Sequence, residues 1–153
     1  RVEEARQRHP LAGENADDLI QRLRTRPLRR RLALAAAVHA DGTLVGWPGL
    51  IPGADTRRVV PGDIILLFGT GFGPTSPPTP TGQLVAQATP LATPVTVRLG
   101  GKRVQILWAG IVSSGLYQFN ILVPPDLEFG DNSLEVFVDG VPIQTGMFIT
   151  AGQ

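Results

Sequence analysis

From residue 32 onward, glycine and proline cut the chain into short apolar runs, and no stretch keeps a helical period. Proline lacks the N–H that a β-ladder needs, and glycine supplies the turns, so such a chain folds as short strands joined by tight connections. Gly (18) and Pro (14) make up about a fifth of the 153 residues, against roughly 12% in ordinary domains. The runs alternate with a period of two. In residues 94–99, Val95, Val97 and Leu99 face inward while Thr96 and Arg98 face out. In 103–109, Val104, Ile106 and Trp108 align. In 116–123, Tyr117, Phe119, Ile121 and Val123 lie opposite Leu116, Gln118, Asn120 and Leu122. Residues 63–69 are apolar on both sides, which predicts a strand covered on both faces.

Asp41-Gly42, Gly100-Gly101 and Asp139-Gly140 are hairpin signals, the last joining 133–138 to 141–150. Residues 70–94 carry six prolines and read as a long loop. The predicted fold is mainly β, an antiparallel immunoglobulin-like β-sandwich over residues 60–153, close to the ~100 residues of such a domain. Residues 32–59 form a lead-in strand and connector. Residues 94–99 are expected at a sheet edge, with Arg98 guarding against aggregation.

Charge is unevenly distributed. Residues 1–31 hold nine arginines and five acids, while the remaining 122 hold five basic and eight acidic side chains. Residues 14–26 predict a short N-terminal helix, capped by Asn15 and stopped by Pro27, with Leu19, Ile20 and Leu23 on one face. Its arginines read as a solvated face. Arg29-Arg30-Arg31 before the apolar 32–38 resembles a short signal peptide, but a strand opening the domain is the favoured reading. The acidic remainder is a poor phosphate binder, which argues against a nucleic-acid partner. No apolar run approaches the ~20 residues of a membrane span.

Reactive constellations are sparse. There is no cysteine and there are only two histidines. Gly69-Thr70-Gly71-Phe72-Gly73 follows a strand, but Pro74 and its neighbours block the helix that a dinucleotide site requires. Gly69, Gly71 and Gly73 are therefore expected to shape a strand exit. His39 ends a strand beside Asp41, suggesting a surface pair rather than a catalytic dyad. Asp126, Glu128, Asp131 and Asn132 crowd one connection, yet lack the calcium-loop pattern and read as turn residues. Trp108 and Tyr117 read as core aromatics, whereas Trp47, in a connector, is the candidate ligand contact. Gln118 and Asn120 are expected to bond the backbone of the proline loop. These observations predict no catalytic residue, metal or cofactor, and a monomer.

The stretch Pro61-Gly62-Asp63-Ile64-Ile65-Leu66-Leu67-Phe68-Gly69-Thr70-Gly71-Phe72-Gly73-Pro74-Thr75 resembles the opening of the bacterial Solibacter-type C-terminal domain family. The resemblance continues through Pro94-Val95-Thr96-Val97, Gly100-Gly101, Trp108-Ala109-Gly110 and Gly115-Leu116-Tyr117-Gln118-Phe119-Asn120-Ile121-Leu122-Val123-Pro124 to the terminal hairpin. It spans residues 33–153. It implies an IPT/TIG-like immunoglobulin fold and a non-catalytic interaction or spacer module at the C-terminal end of an exported protein. The implied location is extracellular or at the cell surface. The implied partners are other domains of the parent protein, a glycan or a surface protein. A carbohydrate-binding module using Trp47 or the loop 70–94 is the alternative.

Overall fold

The computed structural model describes residues 33–153; the segment 1–31, with its expected helix over 14–26, lies outside them. In chain order the strands are β1 (Ala33–Leu34), β2 (Ala37–His39), β3 (Leu44–Val45), β4 (Thr56–Arg57), β5 (Ile64–Gly69) and β6 (Thr89–Pro90). There follow β7 (Val95–Leu99), β8 (Lys102–Arg103), β9 (Gln105–Ser113), β10 (Leu116–Leu122), β11 (Gly130–Val138) and β12 (Val141–Ala151). They form a five-stranded sheet, β1-β12-β11-β7-β8, and a seven-stranded sheet, β4-β3-β2-β5-β10-β9-β6. Pairing is antiparallel except at β1–β12 and β3–β4. No described residue is helical, and the protein is mainly β with a sandwich-like pair of sheets.

The period of two decides what fills the core. Val97, Leu99, Leu134, Val136 and Ile149 come from the five-stranded sheet, and Ile65, Leu67, Phe119 and Ile121 from the seven-stranded one. All are buried, and burial of such side chains contributes about 1.5–3 kcal/mol each. Residues of the lead-in take part in both sheets: β1 lies against β12, and β2 lies between β3 and β5.

Two expectations are corrected here. β5 is covered on one face only. Ile65 and Leu67 are buried, whereas Ile64 is 42% exposed and Leu66 and Phe68 are half-buried. A two-layer fold covers one face of each sheet, and the second apolar row of β5 lies on the outer face. β7 is also not an edge strand. Gly100-Gly101 folds β8 back onto it, with Arg98 opposite Arg103, so β8 takes the edge.

The glycine-rich exit from β5 is a packed corner. Gly71 and Gly73 have φ of 79° and 103°, where a side chain is strained. The turn inserts Phe72 into the core, edge-on to Phe119 at 4.6 Å and to Tyr117 at 5.6 Å between ring centroids. Tyr117 donates its hydroxyl to the Gly73 carbonyl at 2.6 Å.

Candidate functional site

The seven-stranded sheet turns its second face away from the core, and a β-bulge decides what stands on it. Between β9 and β10, Ile121 lies opposite Ile106, but the next pair is Asn120 with Trp108. Leu107 is the extra residue on β9, and 46% of it is exposed. A bulge of this kind reverses side-chain parity beyond it. Ile106 and Ala109 therefore pack on the core, while Trp108 stands on the outer face beside Asn120. The alignment of Val104, Ile106 and Trp108 as one core row is thus corrected: the count of two holds to Ile106 and fails at Leu107.

Gln118 and Asn120 occupy outward positions on β10, alternating with Tyr117, Phe119 and Ile121, which pack on the core. They do not bond the proline loop, as expected from sequence. Gln118 Nε2 donates to Asn120 Oδ1 at 2.7 Å. Position i to i+2 on one strand face brings two amides within reach, so they satisfy each other. That bond engages one atom of each, leaving the Gln118 carbonyl and the Asn120 amino group.

Register places the neighbours. Asn120 lies between Leu66 and Trp108, and Gln118 between Phe68 and Gly110. Gly110 is a close approach. A Cβ there would stand 2.2 Å from the Thr89 carbonyl, 2.7 Å from Trp108 Cζ2 and 2.8 Å from Pro90 Cα. The missing side chain lets the indole lean over strand β9 and lets β6 draw in beside it. β5, β10, β9 and β6 contain no Asp, Glu, Lys, Arg or His. The result is an uncharged sheet face carrying an aromatic ring beside paired amides.

Trp47 lies outside the strands that form this face. It is half-buried in the connector after β3, and its carbonyl accepts a hydrogen bond from Thr56 Oγ1 at 2.9 Å. Tyr117 packs against the core, as read from sequence.

The charged groups are gathered elsewhere. His39 is 1% exposed, and the carboxylate beside it is Asp63, not Asp41: Nδ1 lies 3.4 Å from Asp63 Oδ2 without a hydrogen bond. Nε2 lies 3.2 Å from the Arg57 carbonyl. Strand β2 points His39 inward across from Ile65, so it meets the start of β5 rather than the turn at Asp41. Asp63 Oδ2 also accepts the Val60 amide at 3.0 Å and stands 3.5 Å from Arg57 Nη1. Asp41 accepts the Thr43 amide at 2.9 Å and Arg57 Nη2 at 3.2 Å. The Thr43 amide first, with the Thr43 hydroxyl and Arg57, holds the Asp41 carboxyl at about 2. These contacts tie the β2–β3 turn to β4 and to the entry of β5.

In the acidic connection, Lys102 Nζ contacts Asp126 Oδ2 at 2.7 Å and donates to the Asp126 carbonyl. The Lys102 contact with the Asp126 carboxylate lowers its pKa. Thr150 Oγ1 donates to Asp131 at 2.7 Å, and the Asn132 amide donates to the Glu128 and Gly130 carbonyls. Asp126 and Asp131 are thus joined to β8 and β12, and the Asn132 side chain holds the backbone of the connection at Glu128 and Gly130.

Comparison with protein-family models, with curated proteins and with solved structures finds no match for this chain.

Proposed function

We propose that this is a non-catalytic interaction module, an immunoglobulin-like sandwich of IPT/TIG type at the C-terminal end of an exported bacterial protein, working outside the cell or at its surface. The single observation that carries the reading is the uncharged outer face bearing Trp108, Gln118 and Asn120. An aromatic ring and amides on a rigid sheet make a recognition surface and supply no nucleophile or general base. The charged side chains support the same reading, because their contacts join loops. The resemblance to the Solibacter-type family agrees with an accessory role.

The test is binding of the fluorescently labelled chain to intact cells of its source bacterium, and to the other domains of its parent protein. Saturable binding to either, lost in Trp108→Ala with unchanged circular dichroism, is the expected result. Absence of binding to both, or binding unaffected by that substitution, would overturn the proposal.

A further inference from the structure

The outer face also specifies the chemistry of a ligand, and this step rests on the interaction reading above. We infer that Trp108, Asn120 and Gln118 form a binding platform for a neutral polysaccharide chain. A sugar ring has an apolar C–H face and a rim of hydroxyls. The first needs a flat aromatic surface, and the second needs groups that both donate and accept.

Trp108 supplies the aromatic surface. Trp108 is half-buried, and its ring carbon Cζ2 lies over Gly110, 2.7 Å from where a Cβ would stand, so only a glycine leaves room for the indole there. Asn120 is its direct cross-strand neighbour, and Gln118 is one step along the same face. Their mutual hydrogen bond of 2.7 Å ties the two amides together and leaves a carbonyl acceptor on Gln118 and an amino donor on Asn120. Fixed side chains lose little rotamer freedom on binding. A sugar ring stacked on Trp108 then has a donor and an acceptor beside its rim.

Charge selects among saccharides. The four strands around the platform carry no ionised side chain, so nothing repays the desolvation of a uronic acid, sulfate or phosphate. A neutral chain carries no such cost. Leu66, Asn120 and Trp108 stand side by side on the adjacent strands β5, β10 and β9, a row that suits the side of a polymer rather than its end. Pro90 of β6, 2.8 Å from the same Gly110 point, lines one border of the platform, and Leu66 of β5 lies on the opposite side of Asn120.

The experiment is affinity electrophoresis of the full chain in native gels containing cellulose derivative, xylan, mannan or mixed-linkage glucan, with alginate and heparin as anionic gels. Retardation is expected in at least one neutral gel and not in the anionic ones. Trp108→Ala should weaken it by ~tenfold or more, as expected of a central aromatic anchor. The double variant Gln118→Ala/Asn120→Ala keeps the indole and should weaken retardation as well, which covers the case in which Trp108→Ala fails to fold. Trp47→Phe should leave retardation unchanged. Retardation in the anionic gels alone, in none of the gels, or undiminished in folded variants of the platform would overturn the inference. If the neutral gels fail while labelled chain still binds intact cells or parent domains through Trp108, the interaction module stands and its ligand is not a neutral glycan.

Discussion

Ile106 and Trp108 stand two positions apart on β9, yet point to opposite sides of the sheet. Ile106 packs on the core opposite Ile121, and Trp108 stands outside opposite Asn120, because Leu107 occupies the extra position of a bulge. One residue thus puts the second tryptophan of the chain, half-buried, on the outer side of the sheet instead of in the core row.

The first prediction compares an outer aromatic with an inner one. Phe119 is 1% exposed and lies edge-on to Phe72. Phe119→Ala should cost ~3–5 kcal/mol in urea unfolding. Trp108→Ala should cost no more than about 1–2 kcal/mol. Equal losses would place Trp108 in the core.

The second concerns the glycine-rich corner. Tyr117→Phe keeps the ring against Phe72 and removes only the hydroxyl that reaches Gly73. Stability should fall by about 0.5–1.5 kcal/mol, read as a lower urea midpoint at unchanged slope. No change would show that the hydroxyl is exchanged for water without cost.

The third concerns the close approach at Gly110. In Gly110→Ala the new Cβ meets the Thr89 carbonyl, which is backbone and cannot swing aside. The expected cost is about 1–3 kcal/mol, the scale of overpacking. It should be localised. The Leu91 amide, which donates to the Ala109 carbonyl at 3.0 Å, should exchange its hydrogen faster while the β5–β10 amides stay protected. Uniform loss of protection would contradict a local separation of β6.

The fourth is acid sensitivity. Asp41 and Asp126 both have folded-state pKa values below the ordinary 3.8, Asp41 at about 2. A depressed carboxylate stabilises the fold above its unfolded pKa and loses that contribution as pH falls through the folded value. The melting temperature should therefore drop as pH goes from above 4 toward 2. Asp41→Asn and Asp126→Asn should each flatten that drop, and their combination should flatten it most. A curve unchanged by both substitutions would contradict the pairing with Thr43, Arg57 and Lys102.

Much of the fold was legible in the sequence because alternation is a local signal. Val97, Leu99, Phe119, Ile121, Leu134 and Val136 are buried where period two puts them. Gly100-Gly101 and Asp139-Gly140 turn where expected. The platform was not legible, for two physical reasons. A bulge inserts one residue without any marker in an apolar run such as Ile106-Leu107-Trp108, so parity counted from Val104 misplaces the indole. β5 also has two apolar rows, and which row faces the core depends on the opposite sheet rather than on β5 itself. The carboxylate beside His39 was missed for a related reason. Asp41 is near in sequence, but Asp63 is brought near by the pairing of β2 with β5.

The most direct test is the fluorescence of Trp108 alone, in Trp47→Phe protein, under acrylamide quenching with and without the neutral polysaccharide that gives the strongest retardation. An indole on the outer sheet face should be quenched in the free protein, then protected and blue-shifted when the polymer is added. Emission that acrylamide barely quenches in the free protein, or that the polymer leaves unchanged, would contradict a ligand platform at Trp108.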